Sequence, residues 1–236
     1  MSKIMVVKLG GSLVSPSRDK LYDFDYLARL KPIILKEFEK GNKLFFVLGG
    51  GNTMRMYRDM AMAAGINDDE QLHWIGTTVN VLNAEVFRAY FSTYADPGVF
   101  KYEDYYDDKP LQIIKNMKVG GGGRPGHSGD MDATLAALKC QSQLIINLKN
   151  IDHIYTADPK KDPTAQPLSD LTWQKYLEVI GNPSEHSPGA NYPIDPVTAR
   201  LAQSKGLSMV ILSGWDLNNL SSYLDGGQYQ GSLVHN

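Results

Sequence analysis

The sequence contains one cysteine, Cys140, among its 236 residues, so an intrachain disulfide is impossible. The residues before it, 136–139, are typical of a helix, and we expect Cys140 to be a small buried side chain rather than a nucleophile. The chain also lacks an apolar run long enough to cross a membrane, and its first residues do not resemble a secretory signal. These absences predict a cytoplasmic protein.

An excess of charge of one sign is also missing. The 24 lysines and arginines face 26 aspartates and glutamates, which gives a net charge of −2, and no basic block is present. Nucleic-acid binding therefore has no electrostatic support, whereas a small anion held by a few placed cations is compatible with this balance. With 42% hydrophobic residues, the chain predicts an ordinary soluble globular protein.

Two common catalytic signatures are absent as well. The chain has no Gly-x-x-x-x-Gly-Lys-Ser/Thr loop, which excludes a P-loop kinase, and no Gly-x-Ser-x-Gly elbow. Its histidines, cysteine and carboxylates show no metal-ligand spacing, so we assign no residue as a metal ligand.

The chain does contain two apolar strands that each run into glycines. Residues 4–9 lead into Gly10 and Gly11, and residues 43–48 lead into three glycines at 49–51. Glycine lets backbone N–H groups approach an anion closely, and the N-terminus of a following helix adds a favourable dipole. The two turns predict a phosphate-binding site, to which Lys8 adds a mobile positive charge.

The order of the predicted elements indicates the fold class. Hydrophobic spacing predicts a helix over 24–39 with a cap at Asp23 or Asp25, a strand over 43–48 and a helix over 53–64. This β-α-β-α order favours an α/β three-layer sandwich, in which helices flank a central, mainly parallel sheet.

The pattern continues through the second half of the chain. It predicts helices over 71–90 and 130–139, and strands over 144–147 and 207–212. The tyrosine-rich residues 94–111 give no clear pattern. For them, an oligomer interface and a lid over the site both stay open.

Four polar segments that carry glycine or charge follow the apolar strands, at 8–12, 49–55, 120–130 and 147–161. In an open parallel sheet, ligands bind at the carboxyl ends of the strands. We therefore expect the four segments to converge at one edge of the sheet.

Transfer between two phosphates requires a site that offsets their mutual repulsion with lysine, arginine, backbone N–H groups and Mg²⁺. Lys8 and the glycine turns suit the transferred group. Arg55, one turn into a helix, suits an acceptor phosphate because its guanidinium binds as a fork. Asp130 lies where a predicted helix begins, and there it can orient Lys8 or help organise the metal.

Each of these residues also has a simpler interpretation. A Gly-Gly pair after a strand is often only a tight turn, Asp130 alone is typical of a helix N-cap, and Arg55 alone is typical of a solvated helix residue. His127 is more typical of a hydrogen bond within a loop than of a metal ligand. The convergence of four segments, rather than any single residue, favours phosphate chemistry.

The motifs together resemble the amino-acid kinase superfamily and, within it, the uridylate (UMP) kinases of bacterial and archaeal type. Lys-Leu-Gly-Gly-Ser at 8–12 and Gly-Gly-Gly-Asn-Thr-Met-Arg at 49–55 look like the family's two glycine loops. Leu-Asn-Ala at 82–84 looks like part of its acceptor-site helix, and Pro-Gly-His-Ser-Gly-Asp at 125–130 is similar to its Pro-Gly-His-Thr-Thr-Asp. The most specific match, at 152–163, closely resembles its ATP-binding strand and loop.

The resemblance implies a role for each matching residue. Lys8 and Asp130 take the catalytic positions. The residues implied to contact the acceptor UMP are Gly50, Gly51, Arg55, His73, Asn80, His127 and Ser128. The residues implied to contact the donor ATP are Gly10, Gly11, Ser12, Asn150, Tyr155, Asp158 and Lys161.

The same resemblance implies the organisation of the whole protein. It implies one amino-acid kinase domain over 1–236, with a mainly acceptor-binding lobe at 1–140 and a mainly ATP-binding lobe at 141–236. It implies transfer of the γ-phosphate of ATP to UMP with Mg²⁺ as cofactor and without a covalent enzyme intermediate. Members of this type are hexamers built as trimers of dimers, so we expect a homo-oligomer with no nucleic-acid or membrane partner.

The chain departs from the family pattern at four places. His73 stands where the family has an aspartate that contacts the ribose, Asn80-Val81 replaces a Thr-Arg pair, Gly129 replaces a threonine, and His153 replaces a glycine. Most of these changes lie on the acceptor side. Two alternatives therefore stay open: another small phosphate or carboxylate acceptor, and a non-catalytic relative that binds ATP or stores an oxyanion.

Overall fold

The computed structural model of the chain describes residues 3–109, 111–184 and 192–236. Short apolar, β-branched runs form its strands, as their composition favours. The strands are β1 (Ile4–Leu9), β2 (Lys43–Leu48), β3 (Met117–Gly120), β4 (Leu144–Lys149), β5 (Ile154–Tyr155), β6 (Pro167–Leu168), β7 (Asp170–Thr172), β8 (Ser208–Ser213) and β9 (Ser232–His235).

The helices of the described ranges lie between these strands along the chain, singly or in pairs. They are α1 (Gly11–Val14), α2 (Phe24–Glu39), α3 (Gly51–Ala63), α4 (Asp69–Tyr90), α5 (Gly129–Cys140), α6 (Trp173–Val179), α7 (Pro196–Ser204) and α8 (Leu217–Leu224).

Seven strands form one sheet in the order β3-β2-β1-β4-β8-β9-β7, and β5 pairs with β6 in a separate antiparallel ribbon. The five strands from β3 to β8 run parallel, and β9 is antiparallel to β8. Helices pack on both faces of this sheet, so the predicted three-layer α/β sandwich is confirmed.

Local sequence sets the helix boundaries closely. Helix α2 begins at Phe24 because the Asp23 carboxylate accepts a hydrogen bond of 2.9 Å from the backbone N–H of Tyr26. Just past its end, Gly41 has a φ of 80°, a conformation that favours glycine. The predicted helix over 24–39 is confirmed, with Asp23 rather than Asp25 as its cap.

Two hydrophobic cores lie on opposite faces of the sheet. In β1, Val7 and Leu9 face the core beneath α2 and α4, whereas Val6 faces the core that includes α5 and α6. This alternation follows from the two-residue period of a strand. The same period directs Lys8 of β1 and Asn147 of β4 to the α5 face, where both are buried.

The tyrosine-rich residues 94–111 pack against the edge of the sheet. Ala95 forms a parallel bridge to Met117 of β3, and Phe100 forms one to Gly120. A 3-10 helix, Tyr102–Tyr105, follows, and Tyr105 is buried. The segment therefore covers the edge strand β3, which would otherwise present unpaired backbone groups. Pro110, near its end, lies outside the described residues.

Cys140 ends α5 as a buried residue of the core, and burial raises the pKa of its thiol to about 12. The prediction of a small buried side chain is therefore confirmed. No helix in the described ranges combines the length and apolar character that a membrane crossing requires.

Candidate active site

The carboxyl ends of the central strands bring the predicted segments to one edge of the sheet. The N–H of Gly10 donates to the Leu148 carbonyl at the end of β4, at 2.9 Å. The N–H of Gly49 donates to the Leu9 carbonyl at the end of β1, at 3.1 Å. The first two glycine loops and the end of β4 are thus joined by backbone hydrogen bonds, as their shared edge requires.

The two glycine loops touch backbone to backbone. A Cβ on Gly11 would lie 2.0 Å from the backbone nitrogen of Gly51, and a Cβ on Gly51 would lie 2.2 Å from the Gly11 carbonyl oxygen. Gly51 also has a φ of 60°, which glycine adopts without cost. These positions require glycine because only a bare backbone fits between the loops.

Buried polar side chains fix the second glycine loop. The amide of Asn83, on α4, donates to the carbonyls of Gly49 and Gly50 at 2.9 and 3.1 Å. The hydroxyl of Ser15 accepts from the Thr53 N–H at 2.9 Å. These hydrogen bonds direct the loop carbonyls toward the protein and hold the loop rigid. A rigid loop of this kind can present its N–H groups to an anion.

At the centre of the site, one carboxylate lies between two lysines. The Lys8 ammonium lies 2.9 Å from Asp130 Oδ1, and the Lys149 ammonium lies 3.0 Å from Asp130 Oδ2. The Asn147 amide donates to Asp130 Oδ1 at 2.9 Å. The pairs are buried: the side chains of Lys8, Asp130 and Lys149 are 11%, 6% and 15% exposed. We call these four residues the lysine–aspartate cluster.

The alternation of strand residues creates this cluster. Lys8 and Asn147 are direct partners in the parallel register of β1 and β4, and Lys149 lies two residues beyond Asn147 on the same face. Helix α5 packs on that face and contributes Asp130 from its first turn. Lys8 and Asn147 thus lie within their strands, where the predicted strands over 4–9 and 144–147 placed them.

The charges of the cluster perturb one another. Burial by itself would raise the pKa of the Asp130 carboxyl, but the ammonium groups of Lys149 and Lys8 hold that pKa well below its usual range. Burial lowers the pKa of Lys149 to about 8, against the attraction of Asp130. Asp130 is therefore ionised at neutral pH, and Lys149 is cationic at a cost in desolvation.

Ser128 and Asp195 connect α5 to α7. The Ser128 hydroxyl accepts from the Met131 N–H at 3.2 Å and donates to the Asp195 carboxylate. Asp195 in turn caps α7 by accepting from the Thr198 N–H at 2.9 Å. Ser128, not Asp130, is the N-cap of α5, so the simpler interpretation of Asp130 as a cap is wrong. Ser128, predicted to bind the acceptor, is occupied with this connection.

Three residues predicted to contact the acceptor, Arg55, His73 and Asn80, lie on the helices α3 and α4. Asn80 Oδ1 lies 2.7 Å from the position that a Cβ on Gly50 would take, and within the described residues this buried oxygen has no hydrogen-bond partner. Arg55 on α3 and His73 on α4 are both exposed. The structure thus brings Asn80 to Gly50, and leaves Arg55 and His73 at the surface.

His127 lies in the exposed loop before α5 and makes a hydrogen bond of 2.7 Å to the Tyr106 hydroxyl. The guanidinium of Arg124 stacks on the Tyr106 ring, 3.9 Å from its centroid, and pairs with Glu103 at 2.7 Å. The prediction that His127 hydrogen-bonds within a loop is confirmed. These contacts fasten the tyrosine-rich segment to the loop before α5.

On the donor side, the loop after β4 is ordered by its own carboxylates. The Tyr155 hydroxyl donates to Asp152 at 3.0 Å. Asp158 accepts from the Lys160 N–H at 3.0 Å, and its carbonyl accepts from the Lys161 N–H at 2.9 Å. Asp158 and Lys161 therefore share one turn. Two other residues predicted for the donor, Ser12 in α1 and Asn150 after β4, are half-buried and exposed respectively.

Lys149, Asn147 and Asp132 were not predicted as site residues, although the first two belong to the segment 147–161 that was expected at this edge of the sheet. The predicted strand over 144–147 ended too early, so Lys149 fell outside it; strand alternation from Lys8 across to β4 would have identified both Asn147 and Lys149. Asp132, also on α5, accepts from the Gly123 N–H at 3.1 Å through one oxygen. Burial raises the pKa of the Asp132 carboxyl to about 7.

Metal binding was tested against the donor atoms present. In residues 3–109, 111–184 and 192–236, no three His, Cys, Asp or Glu side chains are grouped to hold a metal. Both carboxylate oxygens of Asp130 already accept from lysine ammonium groups or the Asn147 amide. This donor set fits a Mg²⁺ ion that arrives on nucleotide phosphates better than an ion held in a protein cage.

Known proteins of similar sequence and structure identify the family of this chain. The model of the Amino acid kinase family matches residues 3–213. Uridylate kinases of Methanocorpusculum labreanum and Methanoregula boonei are 30% and 31% identical to the chain, over 98% of it and 95% of each relative. The crystal structure of the uridylate kinase of Archaeoglobus fulgidus superposes with a TM-score of 0.76 at 26% identity, covering 99% of this chain and all of that one. The resemblance predicted from the motifs is confirmed, and the chain belongs to the amino acid kinase family.

Proposed function

We propose that the chain is an ATP-dependent nucleoside monophosphate kinase that transfers the γ-phosphoryl group of ATP to UMP and releases UDP and ADP. The observation that carries the proposal is the lysine–aspartate cluster at the junction of two glycine loops. Two buried ammonium groups around one carboxylate form a site for a multiply charged anion. The names of the relatives, uridylate kinases matched over nearly their whole length, support the same activity.

The reaction needs position and charge more than covalent help from the protein. An oxygen of the acceptor phosphate attacks the γ-phosphorus of ATP as the bond from that phosphorus to the bridging oxygen breaks, so ADP leaves. Lys8 offsets the charge of the transferred group, and Asp130 holds Lys8 in place through the 2.9 Å ion pair. The N–H of Gly10 is already engaged by the Leu148 carbonyl, so the loop N–H groups of Gly11 and Gly50 provide the further donors.

The remaining contacts follow the two sides of the site. On the acceptor side, Arg55 binds the UMP phosphate, and Gly51, His73, Asn80, His127 and Ser128 complete the pocket. On the donor side, ATP lies along the loop after β4, in contact with Ser12, Asn150, Tyr155, Asp158 and Lys161. The chain then divides into a mainly acceptor-binding lobe, 1–140, and a mainly ATP-binding lobe, 141–236.

Mg²⁺ bound to the nucleotide would neutralise part of the phosphate charge. Asp130 is already engaged by Lys8 and Lys149, so the nucleotide phosphates rather than a protein cage would hold that ion. We place the activity in the cytoplasm, where ATP and UMP are both available.

We further propose that the chain forms a homo-oligomer through α3, as a hexamer of three dimers. Tyr57, Met60 and Met62 on this helix are 46%, 59% and 42% exposed, and Ile66 just beyond it is 40% exposed. A surface helix that exposes several large apolar side chains is typical of a subunit interface. Sedimentation in solution measures the assembly directly, and a monomer at micromolar concentration would overturn it.

The experiment that tests the function is ADP formation from Mg-ATP against UMP, CMP, dUMP, GMP, AMP, acetylglutamate and isopentenyl phosphate. We expect turnover with UMP to exceed all others, and Lys8→Ala to abolish it without unfolding the protein. Turnover with a different acceptor would keep the kinase activity and replace UMP as the acceptor. The panel includes other acceptors because His73 is exposed and because the Asn80 oxygen has no partner within the described residues. ATP binding without turnover on any acceptor would contradict the proposal.

A further inference from the structure

Lys149 is the one cation of the lysine–aspartate cluster to which neither the sequence motifs nor the proposed mechanism gives a role. It is the last residue of β4, and its ammonium lies 3.0 Å from Asp130 Oδ2. The same ammonium donates to the carbonyl of Pro193. Its position joins the donor loop, which begins at the next residue, to the catalytic aspartate.

Neutralisation of Asp130 does not by itself account for Lys149. Lys8 already supplies one positive charge at 2.9 Å, and the Asn147 amide supplies another donor at 2.9 Å. The next carboxylate, Asp195, is engaged by Ser128 and Thr198. Burying a second ammonium beside a satisfied carboxylate costs desolvation free energy, which a structural role alone would avoid.

The place of Lys149 next to the first glycine loop indicates what it binds. A Cβ on Gly10 would lie 3.7 Å from the Lys149 Cα, and Gly10 donates its N–H to the preceding residue, Leu148. The backbone of Lys149 therefore lies beside the loop whose N–H groups suit a phosphate, and its ammonium lies at Asp130. The Lys149 side chain keeps 15% of its surface exposed, against 6% for Asp130.

We propose that Lys149 is a second phosphate-binding lysine, which contacts the γ-phosphoryl group of the nucleotide donor from the side opposite Lys8. Asp130 pairs with both ammonium groups: Lys8 lies 2.9 Å from Oδ1, and Lys149 lies 3.0 Å from Oδ2 and 3.4 Å from Oδ1. This inference rests on the proposed kinase function, because it assigns Lys149 to the group that the reaction transfers.

The test compares two nucleotides that differ in the γ-phosphate. Calorimetry measures the affinity of wild type, Lys149→Met and Lys149→Arg for ADP and for the non-hydrolysable β,γ-imido analogue of ATP, at equal MgCl₂. We expect Lys149→Met to weaken the analogue by about 10- to 100-fold, the usual effect of losing a hydrogen bond to a charged group, and to change ADP little. Lys149→Arg, which keeps the charge, should restore part of the difference.

Lys139→Met is the matched control. The Lys139 side chain is 14% exposed and pairs with Asp107 at 2.7 Å, away from the cluster, so its loss should alter neither affinity. An equal loss of ADP and analogue affinity in Lys149→Met would overturn the proposal and leave Lys149 a structural role. Unchanged affinity for both nucleotides would overturn it as well.

Two further outcomes, a variant that does not fold and a wild type without kinase activity, still leave the proposal testable. If Lys149→Met does not fold, Lys149→Gln, which keeps a donor for the Pro193 carbonyl, takes the same comparison. If wild type phosphorylates no acceptor in the panel above, the proposed function fails, yet the analogue-to-ADP ratio still decides whether Lys149 binds the γ-phosphate.

Discussion

Gly11 and Gly51 lie so close that a Cβ on Gly11 would stand 2.0 Å from the backbone nitrogen of Gly51. The atoms in the way are backbone atoms of the second glycine loop, which the Asn83 amide already holds in place. Neither loop can move aside cheaply, so the two phosphate-directed turns are locked against each other.

Gly11→Ala should therefore destabilise the protein by about 1–3 kcal/mol, as overpacking of a tight site does, and should weaken nucleotide binding. Gly129→Ala is the matched control, because a Cβ there would lie 3.3 Å from the Cε of Lys8, the far end of a flexible side chain. Thermal unfolding of the two variants measures the difference. Equal melting temperatures for both would show that the loops separate more easily than their contact implies.

Asp130→Asn should leave Lys8 and Lys149 buried without their shared counter-charge. Removing one partner of a buried ion pair costs about 3–5 kcal/mol, so we expect a marked fall in melting temperature. Because the remaining cluster would attract an anion, added sulfate should recover more stability in the variant than in wild type.

Thermal unfolding across a sulfate series measures this effect. Asp107→Asn, which removes the carboxylate partner of Lys139 away from the cluster, is the control and should respond to sulfate as wild type does. A variant that melts like wild type and ignores sulfate would mean that the two lysines shed their charge when Asp130 is lost.

Arg55→Gln tests the acceptor side. Arg55 is exposed at the start of α3, four residues after Gly51, where an acceptor phosphate would meet it. Loss of its charge-assisted hydrogen bonds should raise the KM for UMP by about 10- to 100-fold and change the KM for ATP little. Arg88→Gln on α4, where Arg88 pairs only with Glu85 in the described structure, is the control. A rise confined to the KM for ATP would contradict this assignment and place Arg55 in contact with ATP instead of UMP.

Local signals made part of this fold predictable. The helix over 24–39 was predicted with its observed bounds because both end signals are local. Asp23 directly precedes its first residue, and Gly41 follows just after its last. The convergence of the glycine segments followed from the parallel order of the strands. Both inferences need only neighbouring residues or the general geometry of sheets.

Other features depend on contacts between distant residues. The contact of Lys149 with Asp130 depends on the packing of α5 on one face of β4. The polar residues at the end of β4 also made the predicted strand two residues shorter than the observed one. The tyrosine-rich segment is held by single bridges to β3 and by the Tyr106–His127 hydrogen bond, none of which leaves a periodic pattern. In the sequence, Asp132 is typical of a solvated helix residue, whereas in the structure it is buried.

Asp132 carries the clearest pH dependence. One of its oxygens accepts from Gly123, whereas within the described residues the other has no partner, and burial raises the pKa of the carboxyl to about 7. The unfolded chain releases this proton near pH 4. The folded state thus binds more protons between about pH 4 and 7, so the free energy of unfolding falls as the pH rises through that window.

Asp132→Asn removes this titration and should cancel its share of the decline, up to about 4 kcal/mol from a shift of roughly three pH units. The asparagine oxygen can still accept from the Gly123 N–H, and any penalty from its new amide donor does not vary with pH. Urea unfolding of both proteins at pH 5 and pH 8 isolates the effect, because only the change in their difference matters. We expect the variant to gain on wild type at pH 8, and a difference equal at the two pH values would show that Asp132 is already ionised in the folded protein at pH 5.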